Sequence, residues 1–100
     1  MRILVAWDDP DQADLISLYL AEGNEIKICL SGPELDAEMV QGRWDVVFQA
    51  LTFPKTAEEG FATYQMTQEK LPGVPTVIAC RQSEMLSLPR FMTNGLRFYI

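Results

Sequence analysis

A chain of 100 residues with 48% hydrophobic and 22% charged side chains has the size and composition of one globular domain, with little margin in its core. The net charge is −6, from 14 acidic and 8 basic residues, and the basic ones are scattered singly, so the clustered cations of a DNA- or RNA-binding surface are missing. There is no histidine, and the two cysteines, Cys29 and Cys80, match no zinc spacing, which removes imidazole metal sites and Ser-His or Cys-His nucleophile pairs.

No apolar run approaches the roughly eighteen residues needed to span a bilayer. The opening segment, Met1 to Trp7, is too short for a signal peptide and runs into two aspartates, so a cytoplasmic location without membrane association is expected. Arg2 to Trp7 is almost continuously apolar, as in a strand buried on both faces of a parallel sheet. Asp9 then offers an N-cap, Pro10 suits the first helical position, and Gln12 falls at the reciprocal capping position. The spacing predicts a helix to about Glu22, with Leu15, Ile16, Tyr19 and Leu20 inward and Gly23 as its left-handed stop.

Glu25 to Leu30 alternates, with Ile26, Ile28 and Leu30 on one face and Lys27 and Cys29 on a less buried one, which suits an edge strand. Ser31-Gly32-Pro33-Glu34 starts a short helix to about Gln41, with Leu35, Met39 and Val40 inward and Gly42 closing it. Trp44 to Leu51 reads as a central strand, and Pro54 bars its extension. A third helix is predicted from about Ala57 to Leu71 on Phe61, Tyr64 and Leu71, weakened by Gly60 and ended by Pro72-Gly73. Val74 to Cys80 is a fourth strand. A loop and a short helix opened by Pro89 follow, then an Asn94-Gly95 stop and a fifth strand from Leu96 to Ile100. Strictly alternating strands and helices give a parallel sheet with right-handed crossovers and helices on both faces.

Five segments in order resemble the receiver domain of two-component response regulators. Ile3 to Pro10 is similar to its first strand and acidic cluster, and Leu30 to Leu35 to its second strand turning through Ser-Gly into a helix. Trp44 to Phe48 with Pro54, Pro72 to Ile78, and Asn94 to Ile100 resemble the third, fourth and fifth strands. The resemblance implies a flavodoxin-like, CheY-like αβα fold with five parallel strands in the order 2-1-3-4-5. It also implies a further helix after the last strand, which this chain does not include. A single receiver-like domain within a longer protein, or a face covered by another chain, is therefore expected.

The resemblance also says where chemistry would be. The family's phosphoryl acceptor is an aspartate five residues after the Asp45-like position and four before the Pro54-like one, and both counts fall on Ala50. Of the acidic pair that helps hold Mg²⁺, Trp7 takes the first position and Asp8 the second, with Asp9 as an extra acid. Cys80 stands where a hydroxyl residue ends the fourth strand, and the family's lysine would fall three residues after Tyr99, outside this sequence. The expectation is a degenerate pseudo-receiver: not an enzyme, without cofactor, and with Asp8 and Asp9 at most a weak metal site.

Several residues carry two readings. Asp9 is explained by capping alone, with Asp8 a solvated neighbour. Trp7 either fills the emptied pocket or anchors a partner, or is a strand-end residue that packs locally. Cys80 is either a regulatory thiol beside Arg81 or a small buried strand residue. Arg81 either bridges to Asp8 or Asp9 or is an exposed loop residue. A Cys29–Cys80 disulfide is not expected, because strands three positions apart lie about 14 Å from each other. Asp45, at the amino end of its strand, is no substitute acceptor. Two functions follow. One is a phosphorylation-independent interaction module for a protein partner or homodimer, using Phe91, Arg97 and Tyr99. The other is a small-molecule or anion sensor using a degenerate pocket of Trp7, Asp8, Asp9, Ala50, Cys80 and Arg81.

Overall fold

In the computed structural model, which describes residues 1–100, the apolar runs become β1 (Arg2–Ala6), β2 (Glu25–Cys29), β3 (Val46–Ala50), β4 (Thr76–Ala79) and β5 (Phe98–Tyr99). All pair in parallel, in the order β2-β1-β3-β4-β5. The connections are α1 (Pro10–Leu20), α2 (Gly32–Gln41), α3 (Ala57–Lys70), a 3-10 helix at Gln82–Ser87 and α4 (Leu88–Thr93). This is the expected flavodoxin-like arrangement. β3, β4 and β5 are each three residues shorter than the expected runs, and only two residues remain in the ladder at β5.

The helix starts follow from side chains that satisfy the first orphan amides. Asp9 accepts from the amides of Asp11 and Gln12, and Ser31 from that of Glu34. Thr56 and Glu59 form a reciprocal capping box at α3 that was not anticipated. Gly23, Gly73 and Gly95 take positive φ where turns need it.

Strand alternation divides the core. Leu4, Ala6 and Val47 face α2 and α3, packing with Leu35, Met39, Trp44 and Phe53. A second cluster joins Ile78 to Phe61, Tyr64, Leu88, Phe91 and Leu96 under α3 and α4. On the opposite face α1 stands alone. Ile16 and Leu20 are half-buried there, beside an entirely apolar groove of about 190 Å³ that also involves Trp7, Tyr19, Phe48 and Ile100.

Several expectations are corrected. In α1, Ala13 is the buried residue, while Leu15 and Tyr19 are 56% and 86% exposed, because the helix presses on the sheet along a narrower stripe than its apolar content suggests. Gln12 does not return to the Asp9 backbone. On β2 the fully buried side chain is Cys29, beneath α2, whereas Leu30 lies outside the strand. Val40 points to solvent, whereas Gly42 does close α2 as expected, in an extended conformation tucked against Arg2 and Trp44. Phe91, expected on an interaction surface, is 1% exposed and meets Phe61 edge-on at 5.3 Å, so it belongs to the core. No helix is long and apolar enough to cross a membrane.

Candidate functional site

Parallel α/β sheets present ligand sites beyond the carboxyl ends of their strands. Here β1, β3 and β4 end around a cavity of about 350 Å³. Backbone bonds fix the rim: the Trp7 amide donates to Cys29 O at 3.0 Å, Leu51 to Ala79 O at 2.9 Å and Cys80 to Ile100 O at 2.8 Å. Ala50, Ala79, Trp7 and Ile100 supply the apolar lining. Asp8, Gln12, Thr52, Cys80, Arg81 and Glu84 supply the polar groups.

One side-chain oxygen organises the mouth. Gln12 Oε1 accepts from Trp7 Nε1 at 3.0 Å and from Arg81 Nη2 at 3.4 Å, tying the first turn of α1 to β1 and to the segment after β4. The bridge from Arg81 to Asp8 or Asp9 does not form; Gln12 takes the guanidinium instead. Glu84 is committed elsewhere, since its Oε1 accepts from the Arg81 amide at 2.8 Å and so starts the 3-10 helix. Both residues on the Arg81 side are thus locally anchored.

Of the residues singled out in the sequence, Trp7, Asp8, Ala50, Cys80 and Arg81 do line this cavity. Asp9 does not, because its carboxylate is turned into the helix start. Gln12, Thr52 and Glu84 were missed as site residues. The only sequence signal was the i to i+5 spacing of an indole and an amide across a tight strand-to-helix turn, and Gln12 had a competing reading as a cap. Arg97 and Tyr99 are exposed, away from the cavity. Asp45 ties β3 to β1, accepting from the Arg2 amide at 2.7 Å.

The donor set does not fit a magnesium ion. That cation wants several oxygens in near-octahedral order. Only Asp8 offers a carboxylate not already spent on the backbone, an alanine methyl stands in the middle, and no three His, Cys, Asp or Glu side chains converge. Cys80 is not an activated thiol either. Burial, reinforced by the nearby Glu84 charge, pushes its pKa up, and its Sγ lies 3.2 Å from the Arg81 carbonyl as a donor. Cys29 is raised further, to about 11, chiefly by burial and then by Glu38 and Glu34. Both thiols are free.

Another depression of similar volume opens at the amino end of β4, between Tyr64, Gln68, Pro75 and Arg97. It lies at the end of the sheet where such folds do not place their sites.

The receiver domain of the Francisella response regulator 1452 superposes on 99% of this chain, and on 81% of its own, with a TM-score of 0.82 at 19% identity. The Vibrio cholerae chemotaxis protein CheY4 matches 99% of this chain and 83% of its own, with a TM-score of 0.83 at 17% identity. The fold is that of a response-regulator receiver domain. In sequence, the chain is 39% identical over 79 residues to protein Rrf1 of Nitratidesulfovibrio vulgaris. That match covers 77% of this chain and 56% of Rrf1, so the chain spans little more than half the length of that relative. No protein-family model matches the chain.

Proposed function

We propose that this receiver-fold chain is a pseudo-receiver: a non-enzymatic module of signal transduction that works through protein contacts without being phosphorylated. The observation that carries the reading is Ala50. It closes β3 at the floor of the carboxyl-end cavity, where the resemblance expects the acceptor aspartate, and a methyl group accepts no phosphoryl group. The poor fit to Mg²⁺ and the neutral, hydrogen-bonded Cys80 support the same reading. The Gln12 link between Trp7 and Arg81 favours one standing arrangement of the rim. The contact surface is assigned to the exposed Arg97 and Tyr99 on β5 and its approach, for a protein partner or a second copy, within a longer protein.

Beryllofluoride or acetyl phosphate with Mg²⁺ tests this directly. Two-dimensional amide NMR spectra are expected to stay unchanged. A saturable shift centred on Ala50, Leu51 and Cys80 overturns the reading.

A second reading rests on the cavity itself. Its volume falls in the range of small-molecule sites, and its lining combines apolar walls with a few polar groups, which favours a ligand-sensing role.

A further inference from the structure

We propose that the cavity at the carboxyl ends of β1, β3 and β4 binds a free α-amino acid with an apolar side chain. The inference goes beyond the interaction role and builds on the cavity reading. About 350 Å³ accommodates one such molecule with water. The argument for the class of ligand is one of charge. Three charges line the cavity, the Arg81 guanidinium and the Asp8 and Glu84 carboxylates, and none takes part in any of the four ion pairs of the chain. They face one space without neutralising each other.

A purely anionic ligand would sit beside Asp8, and a purely cationic one beside Arg81. A zwitterion places a carboxylate on the guanidinium and an ammonium on Asp8, so neither charge is covered without a partner. Gln12 is already oriented for this. Its Oε1 is taken by Trp7 Nε1 and Arg81 Nη2, leaving the amide N–H donors of Gln12 without a protein acceptor. At 3.4 Å the Arg81 contact is long and is readily exchanged for a carboxylate oxygen. Glu84 holds the Arg81 amide with Oε1 at 2.8 Å, and its Oε2 adds a second carboxylate oxygen on the side of the cavity that would receive the ammonium. The methyl groups of Ala50 and Ala79 and the face of Trp7 leave an apolar space for the ligand's side chain.

The test is a calorimetric titration of the chain with L-leucine and L-phenylalanine, followed in parallel by tryptophan emission. The deaminated acid 4-methylpentanoate and the decarboxylated amine isoamylamine serve as truncated ligands. Saturable binding of at least one amino acid is expected, at least tenfold weaker for both truncated ligands. Arg81→Met and Asp8→Asn are each expected to weaken binding by tenfold or more, and both positions are exposed, so the fold is not at stake. Flat titrations for both amino acids overturn the proposal. So does binding of 4-methylpentanoate as tight as that of leucine, which would make the cavity a simple anion site. The ligand series on the unaltered chain decides the matter even if a variant misfolds. A negative result leaves the pseudo-receiver reading standing, because that reading is tested by the phosphoryl analogue.

Discussion

The α carbon of Gly60 faces the carbonyl of Leu51 with no room for a side chain; a Cβ at position 60 would overlap that oxygen and crowd its carbon. The first turn of α3 is thereby seated directly on the end of β3, next to Ala50. Gly60→Ala is expected to destabilise the chain by about 2–4 kcal/mol, despite the gain of about 1 kcal/mol in helix propensity. Urea unfolding would show it as a lower midpoint with an unchanged slope. Ala62→Gly, at an exposed position of the same helix, gives the scale for propensity alone.

Gln49 is wholly buried in β3. Its Nε2 donates to Gly60 O at 2.8 Å, while its Oε1 has no partner. An orphaned buried acceptor is costly, whereas removing the whole polar group leaves nothing unsatisfied on the side chain. Gln49→Leu is therefore expected to lie between neutral and about 1 kcal/mol more stable, and Gln49→Ala, which opens a cavity, about 2 kcal/mol less stable. Thermal unfolding of both variants checks the pair. A strongly destabilised Gln49→Leu would mean that the amide is better satisfied than its partners indicate.

The fully buried Cys29 thiol, raised to about 11 from an ordinary 9.0, makes stability depend on alkaline pH. Between those values the unfolded chain has released the proton and the folded chain still holds it. Stability from this group is thus complete below pH about 9, falls as pH rises, and is gone above about 11. At roughly 1.4 kcal/mol per pKa unit, the full loss is on the order of 3 kcal/mol. Cys29→Ala is expected to be less stable at pH 7 but to show a shallower decline between pH 8.5 and about 10.5. Equal declines in the two proteins would contradict the assignment.

Gln12 holds the rim together through Trp7 and Arg81. Gln12→Ala should cost only about 1 kcal/mol, the usual size of such a hydrogen bond. The Trp7 indole N–H resonance should shift upfield and exchange faster with solvent. The Trp44 indole, which donates to Glu38 O at 2.9 Å, provides an internal reference that should not move.

The strand order was legible because each apolar run is punctuated by residues with one local meaning: Asp9-Pro10, Ser31-Gly32-Pro33, Pro72-Gly73 and Asn94-Gly95. What periodicity could not supply was depth. In α1 the large apolar residues outnumber the positions that reach the sheet, and Ala13 goes deepest because only a small side chain fits that close. In β2 the thiol of Cys29 slips beneath α2, while Lys27 stays outside and reaches Glu38 with its head group at 3.9 Å. The six residues of α4 make fewer than two turns, too few for spacing alone to tell which face Phe91 occupies.

At the site, Trp7, Asp8, Ala50, Cys80 and Arg81 were found from register with a known pattern. Gln12 was not, since its role depends on the approach of Arg81 from 69 residues away. No local rule links such a pair. The same holds for Gly60, which looked like a weakness of α3 until the Leu51 carbonyl was seen beneath it.

Arg2 acts at the far end of the sheet. Its backbone exchanges hydrogen bonds with Asp45, its Nε meets Glu25 at 2.9 Å, its Nη1 donates to Arg43 O at 3.0 Å, and its guanidinium lies 4.4 Å over Trp44. One residue thus clasps β1, β2 and the entry to β3. At the carboxyl rim, beyond the backbone bonds, the side-chain tie is the thinner Gln12 link. The two ends of the sheet are therefore unequally braced by side chains. A ligand or partner that grips the rim therefore meets the less braced end of the sheet and leaves the Arg2 clasp untouched.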